Sequence, residues 1–335
     1  MKEIIVTKNE AGQRLDKLLK KYLSSAPDSF FYKMLRKKNI VLNGRKAAGK
    51  EKINEGDSIK LFLSDETIRK FSGKNAAERK GPLCGLSNLA VIYEDADILL
   101  LNKPVGMLSQ KAGKDDVSVV EHVISYLLET GAVTEEELRF FRPSVCNRLD
   151  RNTSGVIIAG KSLLGSRTMG ALLKERTLKK YYLCVVKGRI TAGRHIRGFL
   201  KKDEESNAVA VCDRDGMPIE TRYAPVAWND RMTLLKVHLI TGKPHQIRAH
   251  LASEGHPLLG DYKYGDPNFN EEFKKRYQIG SQMLHAYQII FPHMEGACQA
   301  VSENTFTAKV PEKFWRLIKE VSWQHGTQEA LEVLR

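Results

Sequence analysis

The sequence predicts a globular protein of mixed helices and strands, in which a small basic module precedes a larger domain. Its 335 residues allow roughly two domains of about 150 residues each. Hydrophobic residues make up 42% and charged residues 28% of the chain, a balance typical of a folded protein with enough apolar side chains for a core. The formal net charge is +14, and residues 1–63 carry 15 basic and 7 acidic residues, a net of +8. Such an excess favours an anionic partner, most often nucleic acid.

The rest of the chain divides into a predicted linker and the larger domain. Residues 64–88 have little apolar periodicity and contain three glycines and one proline, so we expect a linker there. Residues 89–335 carry 34 basic and 30 acidic residues and are predicted to form one nearly neutral domain. No apolar run approaches the ~18–20 residues that a membrane-spanning helix needs, and the first residues lack a signal pattern. Five scattered cysteines without a C-x-x-C pair indicate reduced thiols in a cytoplasmic protein.

Two amphipathic helices and a hairpin are predicted in the basic module. Residues 14–23 and 29–38 each place apolar side chains on one face and cations on another. The strand at 40–43 then ends in an Asn-Gly turn. The cations would either hold a phosphate backbone or only solvate the outer faces of two helices. The residues of this module that we predict to contact nucleic acid are Arg14, Lys17, Lys33, Arg36, Lys37, Lys38 and Asn43.

A carboxylate at the mouth of a buried strand is the first chemical candidate in the larger domain. Asp150 lies within Asn-Arg-Leu-Asp-Arg-Asn-Thr-Ser-Gly (147–155), directly before the apolar run Val-Ile-Ile-Ala. Arg148 and Arg151 flank it and could contact phosphate. Because Asp, Asn, Ser, Thr and Gly are turn residues, an ordinary surface turn would explain the same pattern. Upstream, a Lys-Pro-x-Gly turn begins at Lys103; it lacks the spacing of a Walker loop and fits a strand exit.

A histidine-rich segment at 234–265 supplies further candidates. His245 and His250 are five residues apart, so they lie on different faces of a helix or strand, and no matching cysteine or acidic ligand set accompanies them. We therefore expect no metal there. Arg248 is the stronger candidate, because a buried arginine can hold a carboxylate ionised and in a fixed orientation. Tyr182 lies on a predicted strand, where it could equally be an ordinary aromatic.

In combination, these motifs resemble known families. Over about residues 12–63, R-L-D-x-x-L, a basic helix and V-x-(L/V)-N-G resemble the small RNA-binding module of ribosomal small-subunit protein S4. Over about residues 89–310, the larger domain resembles the RluA family of pseudouridine synthases. The motifs that carry this resemblance are K-P-x-G (103–106), N-R-L-D-R-N-T-S-G (147–155), K-x-Y-L-x-V-V-x-G (180–188), T-G-K-P-H-Q-I-R-A-H-L (241–251) and G-D-x-x-Y-G (260–265).

The sequence departs from the family pattern in two motifs. Asn147 stands where the family usually has histidine, and Lys243-Pro244 stands where it usually has Arg-(Thr/Ser). Neither departure touches Asp150 or Arg248, so they bear on the choice of target base more than on the reaction.

The resemblance implies an α+β fold, with a mixed, mostly antiparallel sheet surrounded by helices and a small S4-like α/β RNA-binding domain at 1–63. It implies Asp150 as the nucleophile, Arg248 as the partner that orients it, and Tyr182 as the side chain that packs on the base. Arg148 would hold the nucleotide that leaves its stack or fill the vacated space. The RNA-contacting residues expected in the larger domain are Lys103, Arg151 and His245. No metal or organic cofactor is implied.

The leading hypothesis is an enzyme that isomerises uridines of large-subunit (23S) ribosomal RNA to pseudouridine, acting as a monomer in the cytoplasm. A tRNA-modifying synthase is the alternative within the same class. From another class, the chain could be an RNA-binding ribosome-assembly factor with an idle catalytic domain. The joint presence of Asp150, Tyr182 and Arg248 argues against an idle domain. A hydrolase that uses one carboxylate with a histidine is a further alternative, but the sequence lacks G-x-S-x-G and a paired-carboxylate pattern.

Overall fold

The protein is described by a computed structural model that covers residues 1–7, 9–72, 89–202, 208–212 and 214–334. At the N-terminus, a four-stranded antiparallel sheet with the order β1-β4-β2-β3 packs against two helices. The elements of this module are β1 (Lys2–Ile5), α1 (Leu15–Tyr22), α2 (Asp28–Arg36), β2 (Ile40–Leu42), β3 (Arg45–Lys46) and β4 (Ser58–Leu61).

The two predicted amphipathic helices are present, and each buries its apolar face. Helix α1 buries Leu15, Leu18 and Leu19 at helical spacing. Helix α2 follows Pro27, whose missing N–H is no loss at a helix start, and buries Phe31. The lysines and arginines of both helices are thereby directed to the opposite side. The core of the module therefore consists of two helix faces and one face of the sheet.

The first part of the predicted linker is helical. Helix α3 (Asp65–Phe71) begins after Ser64, whose Oγ accepts a hydrogen bond from the Thr67 amide at 3.2 Å. The Phe71 ring packs on Phe30 with 4.6 Å between centroids. Only two apolar side chains of this segment pack against the module. Two are too few to show a helical period in the sequence. Residues 73–88, the rest of the predicted linker, lie outside the described residues.

The larger domain is built on one mixed sheet, with eleven strands in the part of the chain that the structure describes. The main path is β11-β10-β12-β13-β9-β14-β8-β6-β5, with β15 beside β14 and β7 beside β8. Only the β14–β8 pair is parallel among these described ladders, so the expected mixed, mostly antiparallel sheet is confirmed. The strands are β5 (Ala90–Glu94), β6 (Ile98–Lys103), β7 (Ser144–Val145), β8 (Ser154–Gly160), β9 (Lys179–Lys187), β10 (Arg194–Lys202), β11 (Val209–Cys212), β12 (Met217–Trp228), β13 (Met232–Leu239), β14 (Leu284–Ile290) and β15 (Thr305–Thr307).

Helices cover both sides of this sheet. They are α4 (Val119–Glu129), α5 (Leu163–Glu175), α6 (Gln246–Ser253), α7 (Pro267–Tyr277), α8 (Glu312–Glu320) and α9 (Thr327–Glu332). The central strand β8 is buried along its whole length, as expected for a strand covered on both faces. Among the described residues, no helix is long and apolar enough to span a bilayer.

The module and the larger domain share one hydrophobic cluster. Phe140, which belongs to the larger domain, is buried among the apolar side chains of the module. Its ring stacks on Tyr22 of α1, with 5.3 Å between centroids and nearly parallel planes. Nearby, the ammonium group of Lys2 lies 3.0 Å from the Glu136 carboxylate. The module is therefore packed against the larger domain through an aromatic contact.

Candidate active site

A cavity of about 770 Å³ opens where the turn before β8, the strand β9 and the start of α6 meet. Asp150 is the one acidic side chain among the described residues that line this cavity. The neutral lining includes Tyr182 on β9 and His245, which precedes α6. The basic side chains of the lining are Lys111, Arg148, Lys174, Arg176, Lys180, Lys243 and Arg248. A single carboxylate thus lies in a positively charged pocket, a setting that suits a polyanion.

The parallel strand pair brings the Asp150 turn to this position. Gly155 pairs with Ala286 of β14 and has φ +112°, a conformation that favours glycine. A Cβ at Gly155 would lie 2.1 Å from the Ala286 carbonyl oxygen, so only glycine permits the close approach. On the other side of the turn, the Ser109 hydroxyl donates to the Leu149 carbonyl at 2.8 Å and accepts from the Leu149 amide at 2.9 Å. Asp150 is therefore held by ordered backbone on both sides.

Arg248 connects Asp150 to a second, fully buried carboxylate. Its Nη1 donates to Asp150 Oδ2 at 2.8 Å. Its Nε and Nη2 donate to Asp261 Oδ2 and Oδ1 at 2.7 and 2.9 Å, a bidentate pair. The Asp261 side chain is 0% exposed and that of Arg248 is 9% exposed. The arginine cannot rotate without breaking these two bonds, so it fixes the direction of the Asp150 carboxylate.

The protonation states support this arrangement. Burial raises the pKa of Asp261, but the Arg248 bonds and the Lys263 and Tyr264 backbone amides outweigh it and hold that pKa below its ordinary value. Burial lowers the pKa of Arg248, yet Asp261 and then Asp150 raise it above its ordinary value overall. Arg248 therefore stays charged, and it shares its donors between two carboxylates.

Tyr182 forms part of the cavity wall beside Asp150. It lies on β9 between Val237 of β13 and Ala286 of β14 and is 7% exposed. Burial raises the pKa of its hydroxyl, and the negative charge of Asp150 raises it further. The phenol is therefore neutral near neutral pH and presents an aromatic surface to the cavity. The structure brings Tyr182, Asp150 and Arg248 together, as the motifs predict.

Lys103 requires a correction, because its side chain does not reach the surface. It is 0% exposed, and its ammonium group donates to the carbonyls of Pro104, Met107 and Arg151 at 3.0, 2.8 and 2.9 Å. Burial lowers the pKa of Lys103 to about 7, whereas the Asp150 charge raises it. All three N–H donors are occupied by backbone, so Lys103 joins two loops of the site rather than contacting RNA.

The two arginines that flank Asp150 differ in position. The Arg148 side chain is exposed and lines the cavity. The Arg151 side chain is exposed outside the lining, while its carbonyl accepts from Lys103 and from the Gly106 amide. Arg148 thus faces the cavity, whereas the Arg151 side chain lies outside it.

His245 lies within the site rather than on an outer RNA-binding face. Its Nε2 is 4.0 Å from Asp150 Oδ2, and its Nδ1 is 2.9 Å from the Tyr264 hydroxyl. The residue has φ +54°, so it adopts the left-handed conformation directly before α6. The side chain is consequently turned into the cavity beside the Asp150 carboxylate.

The predicted residues of the module fall into two groups. Arg14 is paired with the buried Asp16 through Nε and Nη2, at 3.1 and 2.5 Å. The Asn43 amide donates to Asp57 at 2.8 Å, and its oxygen accepts from the Ser58 amide at 2.8 Å. Both side chains therefore have partners within the module but remain partly exposed, and their contact with nucleic acid stays a prediction. The exposed cations are Lys17, Lys33, Arg36, Lys37 and Lys38.

Sequence reasoning missed Asp261 and Tyr264, although both lie in the motif G-D-x-x-Y-G. The Arg248 guanidinium has more donors than Asp150 can accept, so a second planar acceptor was to be expected. An acidic residue in a glycine-flanked turn 13 positions later was the available indication. For Tyr264, which contacts His245, the sequence offered no comparable indication.

Comparisons with known proteins agree with this geometry. The family model described as RNA pseudouridylate synthase matches residues 97–253. The chain is 30% identical over 294 residues to "Ribosomal large subunit pseudouridine synthase C" of Vibrio vulnificus (strain CMCP6), covering 86% of this chain and 87% of that protein. The protein of the same name from Escherichia coli (strain K12) is 28% identical over 297 residues, covering 88% and 89%.

A solved structure shares the fold. The structure of "Human RNA Pseudouridylate Synthase Domain Containing 4" superposes with a TM-score of 0.54 at 19% identity, covering 73% of this chain and 93% of that one. That likeness concerns the fold alone. Together with the matched sequence model and the relatives that align along most of their length, the motifs around Asp150 show that this chain belongs to the RNA pseudouridine synthase family.

Proposed function

We propose that this protein isomerises specific uridines of large-subunit ribosomal RNA to pseudouridine, with Asp150 as the nucleophile. The observation that carries the proposal is the single carboxylate in a cationic cavity, oriented by an arginine that a second carboxylate immobilises. The isomerisation breaks the N–C glycosidic bond, keeps the uracil bound while it rotates, and rejoins it through carbon. Such a reaction needs one well-placed nucleophile and no redox partner.

The residues around Asp150 suit the separate requirements of this reaction. The neutral ring of Tyr182 can pack on the uracil and hold it while the glycosidic bond is open. Because the target must leave its stack, at a cost of a few kcal/mol, a cation at the mouth of the cavity is useful. Arg148 is exposed there and can hold the flipped nucleotide's phosphate.

Large-subunit ribosomal RNA is the favoured substrate for two reasons. The curated relatives that align over most of this chain carry the large ribosomal subunit in their names. The N-terminal module resembles an S4-like RNA-binding domain and exposes several cations on α2 and directly after it, which suits a large structured RNA. We also propose a monomer that acts in the cytoplasm, where the five scattered cysteines would remain reduced thiols.

Site-resolved pseudouridine mapping of total RNA, with and without this gene, tests the proposal. We expect one or more uridines of large-subunit ribosomal RNA to lose pseudouridine in the deletion strain and to regain it with the wild-type gene. Loss confined to tRNA would favour the tRNA-modifying alternative. An unchanged map with defective ribosome assembly would favour an idle catalytic domain.

A further inference from the structure

Tyr264 continues the active site beyond Asp150 and Arg248. Its hydroxyl accepts a hydrogen bond from the Val209 backbone amide at 2.9 Å. The same hydroxyl lies 2.9 Å from Nδ1 of His245. An amide N–H can only donate, so the phenolic proton is free to be donated to the histidine, and Nδ1 then carries the lone pair that accepts it.

The other end of the His245 ring favours the same arrangement. With Nδ1 unprotonated, the neutral ring carries its proton on Nε2, 4.0 Å from Asp150 Oδ2. An N–H facing a carboxylate is attractive, whereas a lone pair there would be repelled. His245 also holds a left-handed backbone conformation, uncommon for a residue other than glycine, as often happens where a side chain is needed in one place.

We propose that Tyr264 is a positioning residue that fixes His245 as the neutral Nε2–H tautomer, so that the cavity presents a neutral donor beside the Asp150 carboxylate. This inference rests on the proposed role of Asp150. A neutral N–H 4.0 Å from Oδ2 attracts the carboxylate without adding a second full positive charge to the one that Arg248 supplies. Of these two residues, Arg248 alone is hydrogen-bonded to Asp150, which remains available as a nucleophile.

The charged groups around His245 are compatible with a neutral ring. Burial lowers the pKa of His245, and the cations Arg248 and Lys263 lower it further. The carboxylates Asp150 and Asp261 raise it, but the net direction is downward. The hydrogen bond from the tyrosine acts in the same sense, because it stabilises only the unprotonated Nδ1.

The variant Tyr264→Phe isolates the hydroxyl. The Arg248 guanidinium carbon lies 5.1 Å from the centre of the Tyr264 ring, and phenylalanine retains that packing. The matched control is Tyr262→Phe, since Tyr262 is 57% exposed and lies two residues away, outside the cavity lining. The readout is the long-range ¹H–¹⁵N spectrum of the full-length protein with ¹⁵N-labelled histidine. The variant His245→Gln assigns the signals.

We expect wild type and Tyr262→Phe to show His245 with the proton on Nε2. In Tyr264→Phe, we expect both tautomers, titration of His245 at higher pH, and kcat lowered about three- to tenfold, as for loss of one neutral hydrogen bond. A wild-type proton on Nδ1, or an unchanged tautomer and titration in Tyr264→Phe, would overturn the proposal. The spectra require no RNA, so they remain decisive even if the mapping experiment rejects ribosomal RNA as the substrate.

Discussion

Helices α2 and α6 both carry basic side chains, but they place them in opposite environments. On α2 and the residue that follows it, Lys33, Arg36 and Lys37 are exposed. On α6, Arg248 is 7% exposed and divides its donors between Asp150 and Asp261. Exposed cations attract a polyanion at long range and are screened by salt, whereas a buried, hydrogen-bonded arginine acts at one place and is screened little.

If the proposed function holds, this difference separates the holding of RNA from the chemistry. Each exposed cation of α2 can be replaced in part by its neighbours, because counterion release depends on how many phosphates are neutralised. Arg248 has no such substitute, because its effect depends on the orientation of one carboxylate. Substitutions in the two regions should therefore change different measured quantities.

The largest effect on stability is expected at Asp261. The variant Asp261→Asn leaves Arg248 buried with one charged partner instead of two, and breaking a buried pair costs about 3–5 kcal/mol. Urea unfolding would measure this loss, and kcat should fall because the arginine no longer orients Asp150. The control Asp230→Asn removes a 66%-exposed partner of Arg189 and should change stability little. Equal unfolding free energies for the two variants would contradict a rigid buried ion pair.

The pH dependence of stability sharpens the same point. The pKa of Asp261 is lower in the folded protein than its ordinary value, about 3.9 in the unfolded chain. Its contribution is therefore fully present above that unfolded pKa and is lost as pH falls through the folded pKa. Below about pH 4, the stability of wild type should fall more steeply than that of Asp261→Asn, whereas above that pH the two curves should run parallel. Curves that stay parallel below about pH 4 would indicate that Asp261 is not the ionised partner.

A smaller effect, on turnover, is expected for Arg148. The variant Arg148→Ala should lower kcat by about tenfold and affinity for RNA less, because the cation acts on the flipped nucleotide. The control Arg151→Ala removes an exposed arginine three residues away that does not line the cavity. It should lower affinity slightly and leave kcat unchanged. An equal loss of kcat and affinity for Arg148→Ala would argue against a role in base flipping.

The smallest effect per residue is expected on α2. Changing Lys33, Arg36 and Lys37 to glutamine should reduce the slope of log K against log salt by ~2, since each phosphate contact contributes ~0.7–0.9. A matched control changes three exposed cations of α7 in the larger domain, Lys274, Lys275 and Arg276. Filter binding at several salt concentrations gives both slopes. If both triple variants lowered the slope equally, the module would have no special role in holding RNA.

The sequence was informative where a local pattern of side chains is sufficient to indicate the structure. Apolar spacing predicted α1 and α2, and the motifs predicted that Asp150, Tyr182 and Arg248 meet. Their meeting depends on contacts between distant segments, which the motifs imply only because they resemble a known family.

The sequence was misleading where burial decides the role of a polar group. A lysine in a Lys-Pro-x-Gly turn looks available for RNA. Lys103 is nevertheless buried, and its ammonium group donates to three backbone carbonyls of two loops. Asn43 and Arg14 stay partly exposed, but the sequence does not show that their partners are Asp57 and Asp16. No local sequence pattern shows which polar side chains will be paired, because the tertiary fold determines which groups lie next to them.

The most direct test of the account compares Asp150→Asn with wild type, measuring pseudouridine formation and RNA affinity on the same preparations of full-length protein. Asp150 lines the cavity but contributes no attraction to a polyanion. The account predicts that the variant loses activity by about 10³-fold or more. It also predicts that the Kd for large-subunit RNA changes by no more than about twofold. Pseudouridine formation near the wild-type rate by Asp150→Asn would contradict the central claim.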